Sequence, residues 1–171
     1  MNARPIGPMS WTLWLAAPMA LCMAASLIFA TPARAFGLQA PEPVFALAPA
    51  FAWAMIRPSV WPPLALLMLG LFQDLLWGTP LGLWPLCLLA AYGFIFSFRA
   101  ILVGQEFWAL WAWYALACGV GLAVGLLTIS LEAGHAPSLM GVAWQWLVSA
   151  VLFPFAWRLI ERYEDQDVRF R

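Results

Sequence analysis

Charged residues divide the chain into long apolar stretches. The first, residues 11–30, has no charge and as a helix would measure about 30 Å, which matches the hydrocarbon thickness of a bilayer. Pro18 inside it is tolerable, because neighbouring membrane helices can re-satisfy the carbonyl that it frees. A proline-bearing linker, 31–43, leads to a second apolar run at 44–56 that Arg57-Pro58 closes. That run covers only about 20 Å as a helix. It must therefore extend into its flanks, sit in a thinned bilayer, or be buried against other helices. Further runs are expected at 62–77, opened by Pro62-Pro63, at 83–98, ending before Arg99, at 107–131, opening on an interfacial aromatic cluster, and at 140–159. Between the third and fourth, Gly78-Thr79-Pro80-Leu81-Gly82 forces a turn. A charged tail, 160–171, follows. The expectation is one all-α integral membrane domain, a bundle of six transmembrane helices spanning residues 1–171.

Composition narrows the class. Of 171 residues, 65% are hydrophobic and only 9% charged, against roughly 25% charged in an ordinary soluble domain. Mean hydropathy is +0.86. All eight basic residues are arginine and eight acids balance them, so no excess of positive charge points to a nucleic-acid partner. With the N-terminus inside, six spans put Arg4, Arg57, Arg99 and the tail arginines Arg158, Arg162, Arg169 and Arg171 on the cytoplasmic side and only Arg34 outside. Seven of the eight then obey the positive-inside rule, and both termini are expected to be cytoplasmic. Arg4, the first apolar run and Ala33-Arg34-Ala35 together resemble a cleavable secretory signal, but the run exceeds the usual length of one and reads as a retained span.

Few residues could carry chemistry. Asp74 is the ionisable group lying well within an apolar run, next to Gln73 and in the last turn of its helix, where the macrodipole disfavours a carboxylate. Its expected partners are the free N–H groups around Gly82 and Leu83 or the Thr79 hydroxyl, which would make it a pin for the 78–82 turn. A proton relay is the rival role, and no second intramembrane acid or base accompanies it. His135, in the loop after the fifth run, lacks enough neighbours of ligand type for a metal site. Cys22, Cys87 and Cys118 each sit in an apolar run and read as buried hydrophobes. No nucleophile constellation or phosphate loop can be assembled; no enzyme, metal or cofactor is expected. Gly119, Gly121 and Gly125, with Ala117, form a small-residue face for close helix approach on the fifth helix. The tail mixes Arg158, Glu161, Arg162, Glu164, Asp165, Asp167, Arg169 and Arg171, so it is no polybasic lipid anchor.

One stretch has a recognisable pattern. Arg57-Pro58, then Gly70-Leu71-Phe72-Gln73-Asp74-Leu75-Leu76-Trp77-Gly78-Thr79-Pro80-Leu81-Gly82-Leu83, then Leu88-Leu89-Ala90-Ala91-Tyr92 resembles the MreD family of bacterial rod-shape-determining membrane proteins. The short second helix led by Pro43 and the last helix carrying Pro154 and ending in Arg158-Leu159-Ile160-Glu161-Arg162 are similar to the family in layout. The specific likeness covers residues 41–99.

The resemblance implies a non-enzymatic member of the cell-elongation machinery in the inner membrane. Its partners would be the bitopic protein MreC, the MreB filament, and RodA with the elongation penicillin-binding protein, in a setting of membrane lipid. The implied fold is similar to the six-helix substrate-binding subunits of energy-coupling-factor transporters. The residues that carry over, as structural determinants of the turn, are Gly70, Asp74, Gly78, Pro80 and Gly82, with Gly121 and Gly125 read separately as helix-packing positions. An alternative in another class is a substrate-binding membrane subunit for a small, vitamin-type molecule, with Asp74, Gln73 and aromatics lining its pocket.

Overall fold

The computed structural model describes residues 11–30, 44–56, 59–133 and 138–168. Among them the secondary structure is helical: α1 Trp11–Ala30, α2 Leu47–Ile56, α3 Trp61–Trp77, α4 Leu83–Leu102, α5 Phe107–Ala133, α6 Leu139–Val151 and α7 Phe153–Val168. Among the described residues three stretches are long and apolar enough to cross a membrane: Leu83–Leu102, Phe107–Leu131 and Leu139–Glu161, the last including both α6 and the start of α7.

The short helix is central. Every residue of α2 from Leu47 to Ala54 is buried, enclosed by α4 and α7 with smaller contributions from α3 and α5. Of the three ways to accommodate its length, burial against other helices is the one observed. Alanines at 48, 50, 52 and 54 leave room on all sides for neighbouring backbones, while Phe51 and Trp53 fill the space between them. Pro49 falls in the first turn, where a missing N–H leaves no helical bond unmade. At the other end Arg99 of α4 donates from Nε to the Met55 carbonyl at 3.3 Å, placing a cation where the dipole of α2 is negative.

Small residues set the closest approaches. A Cβ at Gly70 would overlap the backbone nitrogen of Pro85, so α3 and α4 meet backbone to backbone there. A Cβ at Gly121 would come within 2.9 Å of the Cys87 carbonyl, and one at Gly125 within 2.8 Å of Cys87 Sγ, so α5 presses against α4. Gly119 departs from the expected single face, since it looks instead at Trp146 of α6. The steps from Ala117 to Gly121 to Gly125 are each one helical turn, whereas Gly119 is rotated half a turn from that stripe.

The sixth apolar run divides into α6 and α7 at Leu152, and helix continues through Val168, into what the sequence suggested was only a charged tail. Pro154 is the cause of the break, because it has no N–H for the Ala150 carbonyl. The chain tightens there, with Leu152 N–H donating to the Ser149 carbonyl at 3.0 Å and Phe155 N–H to the Leu152 carbonyl at 2.9 Å. Neighbours supply further donors. Trp111 Nε1 of α5 donates to the Ala150 carbonyl at 3.1 Å and the Tyr114 hydroxyl to the Ser149 carbonyl at 3.2 Å. Ser149 Oγ in turn accepts the Val44 N–H at 3.1 Å, which ties the entry of α2 to the same break. Below it Phe51, Tyr114 and Phe153 pack edge to face or tilted, with centroids 5.4 to 6.2 Å apart.

Candidate functional site

The α3–α4 turn concentrates the polar groups that the sequence singled out. Gly78 ends α3 in the left-handed conformation, φ 65°, and its N–H bonds back to the Asp74 carbonyl. Gly82, φ 100°, precedes α4 in a conformation that costs a side chain dearly. Between them the Pro80 carbonyl accepts the Leu83 N–H at 3.1 Å.

Asp74 closes this turn and is 1% exposed. Its Oδ2 accepts the Gly82 N–H at 2.7 Å, and its Oδ1 accepts both the Thr79 hydroxyl at 2.8 Å and the Trp84 N–H at 3.1 Å. The expected partners Gly82 and Thr79 are therefore present. Leu83 is not among them, because its N–H is taken by Pro80, and Trp84 stands in its place. No side chain of the Gly82 N-cap caps α4; a carboxylate from the preceding helix does so. The first turn of α4 is then accounted for group by group: Leu83 to Pro80, Trp84 to Asp74, Pro85 without a donor, Leu86 to Gly82. The positive end of the α4 dipole offsets the negative end of α3 that Asp74 must otherwise endure.

Chemically this leaves Asp74 little to do beyond the turn. With three charge-assisted hydrogen bonds and almost no exposure, its lone pairs are largely committed to holding backbone. Its neighbour Gln73 differs. The Gln73 side chain is fully buried, and among the described residues neither its Oε1 nor its Nε2 has a hydrogen-bond partner. The buried indole nitrogens of Trp77 and Trp84 are likewise without an acceptor, and these two rings meet edge to face at 5.0 Å.

The other candidates separate from this turn. Cys22, Cys87 and Cys118 are buried free thiols on three different helices, and Cys22 Sγ lies 3.6 Å from the Phe45 carbonyl. Among the described residues no three His, Cys, Asp or Glu side chains gather into a metal-binding group. His135, Arg4, Arg34 and Arg57 lie outside the described residues, as do Arg169 and Arg171. Between α5 and α6 a groove of about 290 Å³ is lined by Gly119, Ala123, Ala143 and Trp146 among others and offers almost no polar surface. Sequence reading missed the Ser149, Tyr114 and Trp111 junction. Its signal was Pro154, which marks the carbonyl four residues back as needing a donor from elsewhere.

Comparison of the chain with protein-family models, with curated proteins and with solved structures finds no match.

Proposed function

We propose that this chain is a non-enzymatic membrane scaffold of the MreD type, part of a bacterial cell-elongation complex in the inner membrane. In this reading α1 to α5 and the broken α6–α7 helix make six crossings with both termini cytoplasmic, in a fold similar to the substrate-binding subunits of energy-coupling-factor transporters. Its partner is a bitopic MreC-like protein, with MreB, RodA and the elongation penicillin-binding protein assembled around the pair. It acts by presenting helix faces and short loops, thereby regulating cell shape and peptidoglycan synthesis.

The observation that carries the reading is the use made of Asp74. The residues of the 70–82 stretch that resemble the family serve one structural purpose, with Gly70 allowing the α3–α4 approach, Gly78 and Gly82 reversing the chain, and Asp74 pinning the result. A carboxylate committed to three protein donors supports a docking module better than a proton relay.

The test is mass spectrometry of proteins that co-purify with the tagged chain from its native membrane in mild detergent. The expected result is an MreC-like bitopic protein together with cell-wall synthases. Paired cytoplasmic ATPases with a membrane coupling subunit would overturn the scaffold and install a small-molecule carrier. Clean depletion that leaves a rod-shaped host unchanged would also overturn it, and an active alkaline-phosphatase fusion at the C-terminus would overturn the topology.

A further inference from the structure

The second polar group of the α3–α4 end is the amide of Gln73, and nothing in the scaffold reading uses it. Gln73 and Trp77 stand one turn apart on α3 and so share a face. Trp84, the second residue of α4, brings its ring to 5.0 Å from that of Trp77, while its own backbone N–H is fixed on Asp74 beside Gln73. Three side chains thus carry buried polar atoms, Gln73 Oε1 and Nε2, Trp77 Nε1 and Trp84 Nε1, that have no partner among the described residues. Native interiors rarely leave such groups unpaired, because the loss of water is then uncompensated.

The unpaired groups define what would satisfy them. Two N–H bonds on Gln73 and one on each indole make four donors, against one acceptor, Gln73 Oε1. A cation finds only that single oxygen. An anion meets the donors but lies beside the Asp74 carboxylate, whose oxygens are already taken. A hydroxyl fits both requirements, since its oxygen accepts N–H bonds while its own hydrogen is donated to Gln73 Oε1. Gln73 lies five residues, about 7.5 Å of helix, before Gly78, and at that end Gly78, Pro80 and Leu81 are exposed.

We propose that Gln73, Trp77 and Trp84 form a binding site for a neutral hydroxyl group at the α3–α4 end of the bundle. Two sources share that chemistry, an ordered water and the glycerol hydroxyls of a lipid headgroup. The site is independent of the scaffold reading, because it rests on hydrogen-bonding groups and not on partners.

The test uses the full chain, labelled with ¹⁵N at the tryptophan indoles, in nanodiscs of phosphatidylcholine, which has no headgroup hydroxyl, and of phosphatidylglycerol, which has two. The indole N–H signals are assigned with Trp77→Phe and Trp84→Phe, and magnetisation transfer is measured to water and to the glycerol protons. Transfer from both indoles to water in either disc identifies water as the ligand; transfer to glycerol protons in phosphatidylglycerol alone identifies the headgroup. In both cases Gln73→Leu abolishes the transfer. Absence of transfer in both discs with the native chain overturns the site, whatever the variant does. Transfer that persists in Gln73→Leu overturns the assignment of Gln73 to it.

Discussion

Two interruptions of the helical ladder, the α3–α4 turn and the α6–α7 break, solve the same problem with different chemistry. Each leaves backbone groups outside the helical ladder that need partners from elsewhere. The turn leaves N–H groups over, at Gly82 and Trp84, and answers them with one carboxylate eight to ten residues earlier in the chain. The break leaves carbonyls over, at Ser149 and Ala150, and answers them with neutral donors from α5, 35 and 39 residues away. A local charge thus fixes a reversal, whereas distant neutral groups fix a kink. Charge-assisted bonds are roughly twice as strong as neutral ones. The turn therefore concentrates its dependence in a single side chain.

Removing that side chain gives the largest expected effect. Asp74→Ala strips the acceptors from two backbone N–H groups and the Thr79 hydroxyl at once, and at about 1–3 kcal/mol for each buried donor left unpaired it should cost about 3 kcal/mol or more. Asp74→Asn keeps one accepting oxygen and should lie between Ala and the native residue. Both are measured by resistance of the detergent-solubilised chain to SDS denaturation. Native resistance in Asp74→Ala, together with loss of partner binding, would mean that Asp74 serves recognition and not the turn.

The break distributes its bonds over several residues, so each substitution there should cost less. Ser149→Ala removes the acceptor of the Val44 N–H, which is buried, and should lower stability by about 2 kcal/mol, since that donor has lost its side-chain partner. The damage should fall on the entry to α2. Hydrogen exchange read along the chain should speed up at 44–48 before it does so at 83–86. Equal acceleration at both ends would show the two interruptions to be coupled, which their separate hydrogen-bond sets argue against.

The same contrast explains what could be read without coordinates. Asp74 and its turn were legible because donor and acceptor lie within ten residues, and the residue types Asp, Gly, Thr and Pro at those offsets have few uses besides a reversal. The apolar runs were legible from length and the spacing of charges alone. Ser149, Tyr114 and Trp111 were not, because each is an ordinary residue in an apolar helix and acquires its role only when α5, α6 and the start of α2 are brought together. Gly119 was grouped with the wrong face for a related reason: small residues announce close packing, but the helix they meet is decided by rotation about the axis. Burial of α2 was one of three options left open by its length, and only the packing of α4 and α7 around it selects among them.

The smallest expected effect tests how evenly the break shares its load. Tyr114→Phe removes one of two donors to the Ser149 carbonyl, and the Leu152 N–H remains in place at 3.0 Å. The hydroxyl disappears along with its bond to the Ser149 carbonyl, the Cys118 thiol loses only a weak hydrogen bond, and the ring can keep its contacts with Phe51 and Phe153. The cost should therefore be about 1 kcal/mol or less, the net worth of one neutral hydrogen bond. It should also be additive with Asp74→Ala, because the two side chains share no partner. A loss as large as that of Asp74→Ala in the same SDS titration would show that the kink, too, hangs on a single side chain. The distinction between a reversal held by one charge and a bend held by many neutral groups would then fail.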